Sequence, residues 1–365
     1  MIALEAAAIA LARPGQHRLV LIEDFDQAGR LSDLLSRWRD CPFEALERLP
    51  GRYTEHVRGG GDHPRGPARA WRRVRVKRDL RQQTLARIAA LDADFAPDQV
   101  WVGNDRKVET QFALHLASRR KGGPAGRYLD DGLYTYLGDV RTRPWVRRVD
   151  WLVKQFSYGR WWHNAAQAGT SPWISEAWLA FPERARDQSP LRQRHRLEPG
   201  LFTTPAFARL GVLAAREFGV DRQQLCAANL VLVLPHSNQF ALNPGLAEGL
   251  NDLVDEVARR GLHVAIKYHP REREPDPGGL RREGTSIGLP ALLPMELLLT
   301  LLRPGTTLVG EGSTALLAAH WLRPDLRVRD LGLSRGGYAV RARALFASLG
   351  LHALAGGPRE LLETL

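Results

Sequence analysis

The sequence predicts an α/β protein built from two Rossmann-like domains that face one another across a cleft. Short apolar, β-rich runs alternate with helical patterns through the C-terminal half, as in a parallel sheet covered by helices. The same rhythm recurs more loosely in the N-terminal half. With 365 residues and 44% hydrophobic content, the chain is long enough to form two medium-sized cores.

In the N-terminal domain, expected over residues 1–205, the candidate strands are Arg18 to Ile22, Gln99 to Val102 and Arg127 to Leu129. The glycine- and charge-rich segment from Gly51 to Pro67 reads as a loop. From Trp145 to Pro205 the periodicity breaks into an aromatic, arginine-rich stretch with Trp161, Trp162, Trp173 and Trp178. This stretch reads as mixed helix and loop that caps the cleft and connects the domains. The C-terminal domain, expected over residues 206–365, is more regular. Its strands are Leu230 to Leu234, His263 to Tyr268, Thr306 to Gly310 and Leu326 to Val328. Helices are expected from about Pro244 to Arg260, from Met295 to Leu302 and from near Ser313. No internal repeat or low-complexity tract interrupts the pattern.

Bulk composition narrows the function classes. No apolar run is long enough to span a bilayer, and the N-terminus lacks a basic segment followed by an apolar run and a cleavage site. The expected location is cytoplasmic, with peripheral contact at the inner face of the membrane. The two cysteines, Cys41 and Cys226, exclude a disulfide framework and a thiolate zinc site. A formal charge of +12 biases the protein toward anionic partners, and arginines concentrate between Arg58 and Arg81 and between Arg141 and Arg148. Tryptophans interleaved with these arginines also fit a nucleic-acid surface, and a solvated basic face fits equally.

Chemistry is expected at the carboxyl ends of the strands. Asp130-Asp131-Gly132 stands at one such end, where glycine permits a sharp turn. Adjacent carboxylates repel, which raises one pKa toward that of a general base near neutral pH; capping of the next helix is the plainer explanation. His269-Pro270 follows a second strand, flanked by Lys267 and Arg271, and suits a phosphate contact or a general acid. Gly312-Ser313-Thr314 opens a helix, where hydroxyls and free amides suit a phosphate but also serve as ordinary caps. Glu296, in Pro294-Met295-Glu296, is placed to accept hydrogen bonds from ribose hydroxyls.

In order and spacing, these four motifs resemble the bacterial sialyltransferases of GT-B type, particularly the lipooligosaccharide sialyltransferases and the capsular polysialyltransferases. The resemblance implies a GT-B-like arrangement and a general base at Asp130 or Asp131. It also implies that His269 assists departure of CMP, Glu296 reads the ribose, and Ser313 and Thr314 bind phosphate. Two further segments match more loosely. His236-Ser237-Asn238 lies in a loop that approaches the nucleotide, with His236 the competitor to His269 for the acid role. Asn104-Asp105-Arg106 lies at a strand end suited to holding sugar or acceptor.

The implied reaction is inverting transfer of sialic acid, or a related nonulosonic acid, from a CMP-sugar to a glycan hydroxyl. The CMP-activated sugar is a co-substrate, and neither cofactor nor metal is implied. Asp92-Ala93-Asp94 has the letters of a metal motif, but it reads as a solvated turn between helix and strand. The implied acceptor is an anionic glycan or glycolipid, and nucleic acid is not an expected partner. Alternatives on the same scaffold are transfer of Kdo, legionaminic or pseudaminic acid, or a CDP-polyol phosphotransferase. A non-catalytic, arginine-rich nucleic-acid binder is the alternative from another class. Family members open with a strand and a polar loop before a helix. Here Met1 to Ala7 looks like that helix already under way, so the natural reading frame is expected to extend upstream.

Overall fold

Every strand pairing among the described residues is parallel. A parallel pair cannot be closed by a tight turn, so the chain must cross over between strands, usually as a helix. The computed structural model describes residues 1–59, 67–138, 144–185, 193–243, 245–354, 360–361 and 363. It divides into two units, Ile2–Glu198 and Pro199–Leu365, with Met1 grouped with the second. The division therefore falls between Glu198 and Pro199, ahead of the expected 205/206 boundary.

The first unit carries strands β1 (Arg18–Glu23), β2 (Ala45–Pro50), β3 (Val100–Val102), β4 (Gly126–Leu129), β5 (Ile174–Leu179) and β6 (Gln193–Arg196). β1 and β2 form a two-stranded sheet with the helix Gln27–Ser36 between them, and the other four form a sheet in the order β3-β4-β5-β6. Val102, Leu114, Tyr128, Ile174, Ala177 and Leu179 pack as its core. The reading of residues 145–205 as mixed helix and loop is thus corrected. The region supplies a long helix, Pro144–Tyr158, and two sheet strands. β6 reads Gln-Arg-His-Arg and forms the sheet edge, so it lacks the apolar signal of an interior strand. A helix, Arg52–Arg58, occupies part of the segment expected as a loop, and residues 60–66 lie outside the described residues. Asp92 and Asp94 belong to the last turn of the helix Pro67–Phe95, not to a connecting turn. They pair with Arg120, at 2.5 Å, and with Arg18.

The second unit is doubly wound. Strands β7 (Leu230–Val233), β8 (Val264–Lys267), β9 (Ser286–Leu289), β10 (Thr307–Gly310) and β11 (Arg327–Asp330) lie in the order β11-β10-β7-β8-β9. β7, β8 and β10 are buried along their whole length, as expected of strands covered on both faces. The helix Leu246–Arg259 buries Leu246, Leu250, Leu253, Val254 and Val257, a single stripe at helical spacing, against Leu230, Leu232, Val264 and Ile266. Pro244, where this helix was expected to start, lies outside the described residues. β9, which sequence periodicity did not reveal, is a half-exposed edge strand containing Gly288.

A buried carboxylate stabilises the first unit's sheet. Asp105, just beyond β3, is fully buried and accepts the backbone N–H groups of Gly169 and Ser171, each at 2.7 Å. Gly169 adopts φ +76° with its Cα against the Tyr128 ring, where a Cβ would come within 2.8 Å. The clamp thereby ties the approach to β5 to the chain after β3, with Gly169 packed on Tyr128 of β4. Asp105→Ala leaves two buried donors without an acceptor and is expected to lower unfolding free energy by about 2–5 kcal/mol, read from denaturant midpoints. A midpoint equal to wild type would refute the clamp.

Candidate active site

β4 ends in Asp130-Asp131-Gly132, and the chain turns at once into the helix Leu133–Leu137. Gly132 makes that turn at φ +63°, a conformation that L side chains rarely adopt. The two aspartates have different environments. Asp130 is buried, and its carboxylate accepts the N–H groups of Gly132 (2.8 Å) and Ala180 (2.9 Å) and the Tyr136 hydroxyl. The same hydroxyl accepts from the Phe181 amide at 3.0 Å. Asp130 therefore fastens the loop after β4 to the chain leaving β5. Burial raises its pKa, and these hydrogen bonds act in the opposite direction.

Asp131 donates its backbone N–H to the Thr135 hydroxyl at 2.8 Å. Its carboxyl is pushed up to about 7, first by burial and second by the charge of Asp130, with Lys107 pulling it down. Lys107 precedes the helix Val108–Lys121 and pairs with Asp24, which follows β1. Burial lowers the Lys107 pKa, and Glu109 and Asp131 oppose that shift. Neither Lys107 nor Asp24 was singled out in the sequence; their one signal is position just beyond a strand.

The neighbouring trio Asn104-Asp105-Arg106 is put to different uses. Asn104 accepts from the Arg106 amide at 3.0 Å, an Asx turn, and Arg106 donates to the Tyr134 hydroxyl two residues beyond Gly132. Both carboxylate oxygens of Asp105 are engaged by backbone, so this side chain is a clamp and not a sugar contact.

In the second unit the strand order reverses at β7, leaving β7 and β10 adjacent with their following chain at the same sheet edge. This is the topological switch point at which doubly wound sheets hold ligands. His236 follows β7, and His269 follows β8, with ring centroids 5.4 Å apart and nearly perpendicular. The rings are held alike: His236 Nδ1 accepts from the Asn238 amide (3.2 Å) and His269 Nδ1 from the Arg271 amide (3.1 Å). Each acceptor role fixes the neutral tautomer with its proton on Nε2. Burial first, then His236, Arg271 and Lys267, lower the His269 pKa to about 4, so this ring is neutral near pH 7. Pro270 follows in the turn. Glu272, not singled out in the sequence, joins the two loops by accepting the Ser237 amide at 3.0 Å.

Lys267 is not a phosphate contact. Its ammonium is buried and donates to the carbonyls of Tyr268 (3.0 Å) and Ala291 (2.8 Å). Burial lowers its pKa to about 8, against the pull of Glu296. Glu296 is itself buried at the start of the helix Met295–Leu299, which packs against the helix Thr314–Leu322. Ser313 caps that second helix, its hydroxyl accepting from the Leu316 amide at 3.4 Å, while Gly312 takes φ +44° and donates to Asp330 at 3.3 Å. Thr314 is the first helical residue. Glu311 accepts from Leu333 (2.8 Å) and Ser334 (2.9 Å), so the loop after β10 is tied to the chain after β11. Among the described residues no group of three or more His, Cys, Asp or Glu could hold a metal ion.

No family model matches the sequence, and no curated protein is found as a relative. Solved structures of similar fold include the α/β-galactoside α-2,3-sialyltransferase of Photobacterium phosphoreum, at 13% identity and TM-score 0.43, covering 84% of this chain and 88% of that one. A Photobacterium 2,6-sialyltransferase, solved with CMP and lactose, is similar at 12% identity and TM-score 0.44, covering 92% and 76%. The UDP-GlcNAc 2-epimerase of Neisseria meningitidis is similar at 11% identity and TM-score 0.42, covering 95% and 89%.

Proposed function

We propose that this protein is an inverting glycosyltransferase that moves sialic acid, or a related nonulosonic acid, from a CMP-sugar to a glycan hydroxyl. The observation that carries the reading is Asp131, a carboxyl held by burial at about 7 just past the end of a parallel strand, where a small change in surroundings switches it between base and acid. The CMP-linked donor is the substrate class implied by the order of the acidic pair, His-Pro, Pro-x-Glu and Ser-Thr motifs.

In the proposed reaction Asp131 accepts the proton of an acceptor hydroxyl as its oxygen bonds to the anomeric carbon. The bond from that carbon to the CMP phosphate oxygen breaks, and CMP leaves with the electron pair. The Nε2–H groups of His236 and His269 and the N-terminus of the helix Thr314–Leu322, with Ser313 and Thr314, oppose the charge growing on phosphate. Glu296 is assigned to the ribose. Fixed donors take the role that a cation fills in metal-dependent transferases, so the reading assigns no metal, and activity is expected to survive chelation.

Asp131→Asn is expected to lower kcat by about 100-fold or more while the protein remains folded. Asp130→Ala, by contrast, removes the acceptor for two amides and a hydroxyl, and is expected to lower the melting temperature as well as activity. Transfer from CMP-sialic acid, CMP-Kdo, CMP-legionaminic acid and CMP-pseudaminic acid, assayed with wild type and with Asp131→Asn, His269→Ala and His236→Ala, tests the site and the donor together. Activity unchanged by all three substitutions would sink the site, and no turnover of any CMP-sugar would sink the donor class.

The pH dependence has a defined sign. A base with a pKa of about 7 is active when deprotonated, so kcat is expected to rise with pH through about 7. Lys107→Ala removes the charge that favours the carboxylate and should move this limb to higher pH. The Asp131 pKa is raised on folding, so the folded state binds its proton more tightly, and stability falls as pH rises from about 4 to about 7. Asp131→Asn should therefore raise the melting temperature at about pH 8 and have little effect at about pH 4. Melting curves of both proteins at the two pH values check this.

A further inference from the structure

The helix Pro144–Tyr158 turns the wrong way for a helix of a self-contained unit. Its Trp145, Val149, Leu152 and Phe156 recur at spacings of one helical turn and form one face. That face is exposed: Trp145 to 64%, Leu152 to 56% and Phe156 to 96%, with Val153 on its flank at 59%. The opposite side makes the protein contacts. Gln155 donates to the Trp162 carbonyl at 3.2 Å, Asp150 accepts from Asn164 at 3.2 Å, and the Lys154 ammonium lies 5.1 Å from the centre of the Trp162 ring. Hydrogen-bonding side chains thus anchor the helix, while its large apolar side chains face water. A contiguous apolar face of this kind marks an interaction site.

The charge beside it selects the occupant. Arg81, on the helix Pro67–Phe95, donates to the Tyr158 hydroxyl and lies over that ring, joining the basic helix to the end of the apolar one. Within about one helical turn of Arg81 stand exposed Lys77 and Arg78, preceded by exposed Arg72, Arg73 and Arg75 and by Trp71, which is 77% exposed. Arg148 is exposed on the apolar helix itself. A second copy of the chain would bring like charges together at this face. An anionic lipid surface instead offers opposite charge to the arginines and an acyl boundary to the apolar side chains.

We propose that the helix Pro144–Tyr158 lies in the plane of an anionic membrane, with Trp145, Val149, Leu152 and Phe156 inserted at the headgroup boundary. Among the described residues no helix is long and apolar enough to cross a membrane, so the contact is interfacial. The inference is independent of the proposed reaction, because none of these residues is placed in the transfer chemistry.

Flotation of the full chain with vesicles tests it. Binding is expected to equimolar phosphatidylcholine and phosphatidylglycerol, to weaken with added salt, and to be much weaker on phosphatidylcholine alone. Leu152→Ser combined with Phe156→Ser should reduce partitioning at least about tenfold with an unchanged melting temperature, because both side chains are already exposed to water in the folded protein. Lys77→Glu with Arg78→Glu should remove the preference for phosphatidylglycerol. Wild type that stays unbound with the anionic vesicles, or a double-serine variant that partitions like wild type, would overturn the proposal. So would a dimer in light scattering that the serine substitutions dissolve while vesicle binding is unaltered.

Discussion

Parallel pairing is the constraint on which the rest of the molecule depends. Because each strand must be followed by a crossover, all the strands of a sheet point the same way and the chain after each of them emerges at one edge. Asp24, Lys107 and Asp131 follow β1, β3 and β4, and His236, His269 and Ser313 follow β7, β8 and β10. None of these side chains is close to the next along the chain. Their grouping within each sheet is a property of strand direction, and it explains why chemistry scattered over the sequence collects at the edges of three sheets.

At those edges the protein uses carboxylates for two opposed purposes. Asp105, Asp130, Glu311 and Asp330 each accept two or more backbone amides or hydroxyls and hold loops that no regular ladder could hold. Hydrogen bonds accepted in this way favour the ionised form of a carboxylate and so make it a weaker base. Asp131 differs in its offset: burial and the neighbouring charge of Asp130 destabilise its ionised form, and charge, first that of Lys107, opposes them where hydrogen bonds do so at Asp130. The hydrogen-bonded neighbour is thus part of what makes the other aspartate basic: Asp130 fixes the loop and also supplies the repulsion.

The sequence made legible what depends on burial over both faces of an element. β7, β8 and β10 are short, mainly apolar runs buried along their whole length, and Leu246, Leu250, Leu253, Val254 and Val257 trace a helical stripe. β6 and β9 are sheet edges whose solvated faces dilute that signal, and β2, Ala-Leu-Glu-Arg-Leu-Pro, belongs to a two-stranded sheet. Inside the site, the positions of Asp130-Asp131, His236, His269 and Ser313 at strand and helix ends could be read from pattern. Which aspartate fastens the loop could not, because the Ala180 amide that binds Asp130 lies 50 residues further along the chain and is brought there by tertiary structure. Lys267 shows the same limit. Its sequence context next to His269 reads as positive charge for a ligand, yet two carbonyls hold the ammonium inside the sheet.

The histidine pair changes what a His-Pro motif means here. With a pKa of about 4, His269 carries no positive charge near neutral pH, so it enters any reaction as a neutral Nε2–H donor and not as a ready acid. The influences that keep it neutral are burial and the positive potential of His236, Arg271 and Lys267. A phosphate group placed against the two Nε2 protons has the opposite sign to those cations and would favour protonation of the ring. On the proposed reading, the arriving charge raises the pKa of the ring, and the neutral Nε2–H group donates a hydrogen bond to the phosphate. With no anion present, the neutral His269 ring avoids the cost of burying an imidazolium 5.4 Å from the His236 ring and beside Arg271 and Lys267.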